Sequence, residues 1–292
     1  MLDYDYPLYR PPSEAGSLIF QVTLGCSFNK CSYCDMYRTK EYRERPWDEI
    51  RMEIDMASRH MPDARRIFLA DGDALNLSTE RLVQILDHIR DRFHNIERIS
   101  CYAMPKNILE KSPEDLARLR DAGLGMFYIG IETGSDIILK KITKGATSQT
   151  IIKACQKAKD ARYTISCMVI LGLGGKTYSS QHIEETAKIL STTAPHYVGA
   201  LTLHLDGSIR EEFLTKFREP FVQIDDADAL NELELLVSRM QPATPVVFRA
   251  NHGSNAYPIG GTFPQEKDAM LQKISYLREH PEMCRPSGFR GF

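Results

Sequence analysis

A chain of 292 residues with 42% hydrophobic and 26% charged residues has ordinary globular composition, which excludes disordered and fibrous classes. Its formal net charge of −2 gives no general attraction to nucleic acid or an anionic membrane. No apolar run approaches the roughly 20 residues that cross a bilayer, and the opening MLDYDYPLYRPPSEAG lacks a signal-peptide layout, so a soluble cytoplasmic protein is expected.

Residues 1–17 read as an N-terminal extension. Candidate strands then alternate with helical patterns. Leu18–Thr23 (LIFQVT) is followed by a helix at Asp48–Ala57, and Arg66–Ala70 (RIFLA) by a helix with Leu82, Ile85, Leu86, Ile89 and Phe93 on one stripe. Next come Arg98–Tyr102 (RISCY) and the segment KSPEDLARLRDAG. There Ser112 can cap, Pro113 fits the first turn, Glu114 and Asp115 suit the dipole, and Gly123 ends the helix. Strand Met126–Ile131, helix Ser148–Ala161, strand Thr164–Leu171, helix Ser180–Leu190, strand Tyr197–Leu205 and a helix after Ser208 complete the series.

Six successive βα units imply parallel strands with right-handed crossovers, and the nearly continuous apolar strands read as covered on both faces. Such a series closes partly as a barrel or lies open as a doubly wound sheet, and the pattern fits both. Beyond about residue 208 the alternation fades into a helix at Ala227–Met240, the segment PVVFRANHGSNAYPIGG, a helix at Pro264–Leu277 and a loop-like tail. Residues 18–208 are expected to form the core, and residues 209–292 a mostly helical appendage over the active site.

Seven cysteines in a reducing compartment argue against a disulfide framework. Cys26, Cys31 and Cys34 fall within nine residues, in a C-x4-C-x2-C arrangement directly after the first strand. Active-site groups in parallel α/β folds belong at that end of a strand. Three thiolates on one short loop can hold three irons of a [4Fe–4S] cluster and leave the fourth open. Zinc is the competing metal, but no nearby Cys or His pair supplies its fourth ligand. Cys101, Cys155, Cys167 and Cys284 are scattered and read as bystanders, with the tail residue Cys284 the least settled.

In these residues the chain resembles the radical S-adenosylmethionine (radical SAM) superfamily, whose commonest motif is C-x3-C-x2-C with an aromatic before the last cysteine. Tyr33 matches that aromatic, whereas the first spacing here is four. Gly72, Asp73 and Ala74 stand where the superfamily carries a Gly-Gly-Glu-like segment that binds the methionine amino group. The stretch GIETGSDIILKKITKG is similar to the coproporphyrinogen oxidase and methylthiotransferase-like branch, and Glu132 is the residue that resemblance assigns to SAM. MVILGLGG is similar to the adenine motif G-x-I-x-G-x-x-E, with Gly172, Gly174 and Gly175 at the turn and the final acidic residue missing. The resemblance covers about residues 18–205. It implies a partial (β/α)6 barrel, a [4Fe–4S] cluster on Cys26, Cys31 and Cys34, SAM as second cofactor, and a reductant such as flavodoxin or ferredoxin.

The substrate side is read from the residues themselves. His204 and Asp206 in TLHLDGS alternate onto one side and suit acid–base work or substrate binding. RANHGSNAYPIGG gathers Arg249, Asn251, His252, Ser254, Asn255 and Tyr257 as a candidate binding loop. Phe28, Met36, Tyr37 and Arg38 flank the cysteines. The resulting expectation is a radical SAM enzyme that cleaves SAM reductively to a 5′-deoxyadenosyl radical and abstracts hydrogen from a small organic or tetrapyrrole-like molecule. Its alternatives are a tRNA- or peptide-modifying relative and a non-catalytic carrier of a cofactor such as haem. Absence of an RNA-binding module and near-neutral charge argue against nucleic acid.

Overall fold

The computed structural model describes residues 2–290. These form two compact units: the chain up to Asn29 with Cys34–Ile129 and Lys153–Ile165, and Lys30–Tyr33 with Gly130–Ile152 and the chain from Ser166 onward.

In the first unit, β1 (Leu18–Gln21) is buried throughout. The expected strand to Thr23 is broken at Val22, because β2 (Thr23–Leu24) turns away to pair antiparallel with β3 (Arg43–Glu44). The cysteine segment lies between β2 and β3. α1 (Trp47–His60) buries Ile50, Ile54 and Ala57, one stripe at helical spacing. β4 (Arg66–Ala70) pairs parallel with β1. α2 (Thr79–Arg92) starts where Ser78 Oγ accepts from the Arg81 N–H and buries Leu82, Ile85, Leu86 and Ile89, the stripe expected from sequence. β5 (Arg98–Tyr102) pairs parallel with β4.

Two helices follow: α3 (Pro105–Glu110), too short to show a period, and α4 (Pro113–Asp121). The latter opens on the Ser112–Asp115 capping box, and Gly123 beyond it takes φ +111°. β6 (Leu124–Glu132) pairs parallel with β5 and continues into the second unit.

The chain continues through α5 (Asp136–Lys141), α6 (Ser148–Asp160), β7 (Thr164–Leu171), α7 (Gly175–Thr193), β8 (Tyr197–Thr202), α8 (Gly207–Phe217), α9 (Asp226–Arg239), β9 (Val246–Ala250), β10 (Ile259–Phe263) and α10 (Lys267–Glu279). In the second unit β7, β8 and β9 run parallel in that order, and β10 joins β9 antiparallel. The segment expected to be mostly helical thus adds two strands. β8 stops at Thr202, three residues short of expectation. Leu203 and Leu205 leave the sheet to pack with Ile138, Ile142, Leu173, Phe213 and Phe217, while His204 between them stays outside. Phe213 and Phe217 stack at 5.4 Å, and burying each ring contributes about 2 kcal/mol. The architecture is α/β, with mostly parallel strands connected through helices. Among the described residues no helix is long and apolar enough to cross a membrane.

Candidate functional site

Cys26, Cys31 and Cys34 are all half-buried on the loop between β2 and β3. Gly72, just beyond β4, has no room for a side chain: a Cβ there would lie 2.5 Å from Tyr37 Cε2 and 3.1 Å from Cys26 Cβ. The close approach of the two segments therefore requires glycine. The next residue, Asp73, is fully buried. One carboxyl oxygen accepts the Ser27 hydroxyl, and Oδ1 makes no hydrogen bond among the described residues. Burial pushes this carboxyl up to about 6, with the Ser27 bond pulling the other way. Ala74 begins a short 3-10 turn. Nearby, Asp71 accepts from Lys40 Nζ at 3.0 Å and the Gly25 N–H at 3.3 Å, tying the start of the cysteine loop to the end of β4.

No three His, Cys, Asp or Glu side chains among the described residues stand together in metal-holding geometry. The donor chemistry does fit an iron–sulfur group, since cysteine thiolates are the ligands of such clusters. An orphaned buried carboxyl oxygen at Asp73 fits an incoming amino donor.

In the second unit, Glu132 ends β6 with φ +64° and is 7% exposed. Its Oε1 lies 2.7 Å from Lys144 Nζ, which also donates to the Tyr33 hydroxyl at 3.3 Å. The lysine thus joins two residues that the sequence had singled out separately. Behind them Thr133 is locked by His182, which is fully buried. The carbonyl of Ile170, 3.0 Å from Nε2, can only accept, so Nε2 carries the proton. Nδ1 therefore accepts from the Thr133 hydroxyl at 2.7 Å, and burial lowers this histidine to about 4, keeping it neutral. The segment around Cys31 has two anchors of its own. Ser32 N–H donates to Ile142 C=O at 2.9 Å, and Lys216 Nζ of α8 donates to Lys30 C=O at 3.0 Å.

The glycine turn after β7 is tight. Gly172 takes φ +83° and donates its N–H to Glu232 Oε2 at 2.7 Å. A Cβ at Gly174 would lie 2.9 Å from the Tyr178 carbonyl carbon, inside the first turn of α7.

The substrate-side candidates fall into two groups. His204 and Asp206 face each other at 3.3 Å, with side chains 50% and 87% exposed. His252 is half-buried, and its Nδ1 accepts the Ser254 N–H at 3.1 Å. Arg285 Nη1 donates to the His252 carbonyl at 3.0 Å, and burial with this cation holds the imidazole below its usual range. Tyr257 is buried, its hydroxyl pushed up by burial with Cys284 and Asp226 adding negative potential. Cys101, Cys155 and Cys167 are buried, as expected of bystanders, and Cys284 is half-buried. Sequence reasoning missed Ser27, Lys144, His182 and Glu232. Lys144 had one available signal: a lysine beside glycine in the stretch that carries Glu132.

Residues 20–190 match the Radical SAM superfamily. The chain belongs to this superfamily, whose members use a [4Fe–4S] cluster and SAM. Among curated proteins it is similar to the heme chaperone HemW of Bacillus subtilis (strain 168), 27% identical over 175 residues, or 57% of this chain and 45% of that protein. It is 25% identical to the 4'-phospho-dehydrooxetanocin synthase of Priestia megaterium over 48% of this chain and 21% of that one. To the putative methylthiotransferase MJ0865 of Methanocaldococcus jannaschii it is 23% identical, over 60% of this chain and 41% of that one. The chain spans about half the length, or less, of the curated relatives it matches. Its fold is similar to coproporphyrinogen III oxidase HemN from Escherichia coli, with TM-score 0.58 and 13% identity over 76% of this chain and 52% of that one. Methylornithine synthase PylB aligns with TM-score 0.54 and 14% identity, over 77% of this chain and 63% of the other.

Proposed function

We propose that this chain is a radical SAM enzyme that cleaves SAM reductively and acts on a small organic or tetrapyrrole-like substrate. The observation that carries the reading is the Glu132–Lys144 ion pair, held against Tyr33 one residue before Cys34. A buried carboxylate, an ammonium and an aromatic ring suit a zwitterionic ligand that also bears hydroxyl groups.

Cys26, Cys31 and Cys34 would hold three irons of the cluster through their thiolates. Oδ1 of Asp73 and the carbonyls around Gly72 would accept the N–H groups of the SAM amino end. Glu132 would accept from ribose hydroxyls, with Lys144 holding its side chain in place. The Gly172–Gly175 turn would give adenine a flat wall. When bound, the cluster and SAM supply a 5′-deoxyadenosyl radical for hydrogen abstraction, with flavodoxin or ferredoxin as the class of electron donor. His204 with Asp206, and His252 with Tyr257, hold or move protons on the substrate. The described residues from 209 onward would cover the substrate and exclude water.

A second reading, delivery of a cofactor such as haem without turnover, is favoured by the several relatives that carry the name heme chaperone HemW. One series of measurements separates the two. Anaerobic reconstitution is expected to give about four iron per chain, lost on Cys31→Ala. Dithionite and SAM should then release 5′-deoxyadenosine. Zinc in place of iron overturns the cluster assignment. An intact cluster that binds haem and releases no deoxyadenosine turns the assignment to the carrier.

A further inference from the structure

Glu232 is a carboxylate on a helix face otherwise made of Ala229, Leu230, Leu233, Leu236 and Val237, and it is 1% exposed. A carboxylate in such a place is costly unless its oxygens are satisfied. Here both are. Oε2 accepts the Gly172 N–H at 2.7 Å, and Oε1 accepts the Ser179 hydroxyl at 2.7 Å. One donor stands at the end of β7 and the other in the first turns of α7, so the carboxylate spans the glycine turn from behind.

The segment leading into α9 packs on the same turn. A Cβ at Gly172 would lie 2.9 Å from Ile224 Cγ1, and one at Gly175 would lie 2.8 Å from both the Phe221 ring and the Val222 carbonyl oxygen. Lys176 N–H donates to that carbonyl at 2.8 Å. The turn is therefore built from two stretches of chain, of which the second lies beyond the residues that match the superfamily.

We propose that Glu232 is the positioning residue of the Gly172–Gly175 turn, supplying from α9 the carboxylate that the MVILGLGG segment lacks, and that it thereby sets affinity for the adenine end of SAM. This rests on the reading that the turn faces adenine. By drawing the Gly172 N–H toward itself, Glu232 holds that residue at its positive φ, three residues before α7 starts.

Two readouts on the full chain test it. The first is amide hydrogen exchange at Gly172 in protein without cluster or SAM. The second is SAM affinity of the reconstituted protein by equilibrium dialysis. Glu232→Ala is expected to speed exchange at Gly172 and weaken SAM binding by about tenfold each, the worth of a hydrogen bond to a buried charge. Glu232→Gln can still accept from Gly172 through its carbonyl and donate to Ser179 through its amide, so it should restore both values. Ser179→Ala removes one donor and should shift both values the same way by less. If Glu232→Ala does not fold, these two milder variants carry the test.

Exchange and affinity both unchanged in Glu232→Ala, or Glu232→Gln as impaired as Glu232→Ala, overturns the proposal. Wild-type protein that binds no SAM overturns the turn's ligand, and exchange at Gly172 then decides separately whether Glu232 grips the turn.

Discussion

Gly130 sits directly against the Glu132–Lys144 ion pair: a Cβ at this position would come within 2.9 Å of Lys144 Nζ and collide with Glu132 Oε1. Residues two apart on a strand share a face, so the side chain of Glu132 folds back over the one residue of β6 that leaves it space. Gly130→Ala should displace the pair, destabilise the protein by about 2 kcal/mol and weaken SAM binding. Lys144→Met should cost about 3 kcal/mol, because it leaves Glu132 buried and unpaired. Adding Glu132→Gln to it should recover most of that loss. Urea denaturation of wild type, Lys144→Met, Glu132→Gln and the double variant checks this, and additive effects in the double variant would show that the two residues are not coupled.

Asp73 carries its charge into a buried position with one oxygen unmet. Asp73→Asn should therefore raise the stability of the cofactor-free protein by about 1–2 kcal/mol near neutral pH while lowering its affinity for SAM. Thermal unfolding and SAM binding measured together decide the matter. A destabilised variant with unchanged affinity would mark Asp73 as structural.

Two buried groups give stability opposite pH slopes. His182 falls to about 4 in the fold from 6.5, so the unfolded chain takes up a proton that the native protein refuses. Stability from this group is intact above 6.5 and is lost as pH falls toward 4. Glu232 rises to about 7 from 4.5, so its contribution is intact below 4.5 and is lost as pH climbs through 7. Relative to wild type, Glu232→Gln should steepen the rise of stability with pH between about 5 and 6.5, by up to ~1.4 kcal/mol per pH unit. His182→Gln should do the reverse. Urea midpoints across that range read both, and parallel curves would contradict the assigned protonation states.

His204 and Asp206 form an exposed pair, which is worth at most about 1 kcal/mol. His204→Ala should shift stability by less than about 0.5 kcal/mol. If His204 serves the substrate's proton transfer, turnover falls by at least about a hundredfold. Denaturation alongside product formation separates the two effects, and a fully active His204→Ala removes this histidine from the site.

Six of the eight strands from Leu18 to Thr202 were legible because strands covered on both faces are almost continuously apolar. β9 and β10 were not. IGGTF contains two glycines that weaken the strand signal, and Gly261 is there because a Cβ would meet Met270 Cγ at 2.9 Å. α3 and α5, six residues each, are too short to show a helical period. The start of α7, GKTYSSQH, is too polar to stand out, so the helix begins five residues earlier than its apolar stripe suggests. The cysteines and glycines of the candidate site stood out by type and spacing. Glu232 did not, because its partner Gly172 lies 60 residues away and its own helix reads as an ordinary apolar stripe. His182 hid in the same way, as one histidine in a regular helix.

The end of β10 bears on how this chain behaves in a crowd. A strand that closes a sheet normally leaves a row of open amides and carbonyls on which a foreign strand can template itself. At Thr262 both backbone groups are already taken by Glu266: the N–H donates to its carboxylate at 2.7 Å, and the C=O accepts its N–H at 2.8 Å. Pro264, two residues on, has no amide to offer. The Glu266 carboxylate thus covers one amide on the margin of the sheet, and Glu266→Ala would bare that amide to a foreign strand while leaving the Thr262 carbonyl paired.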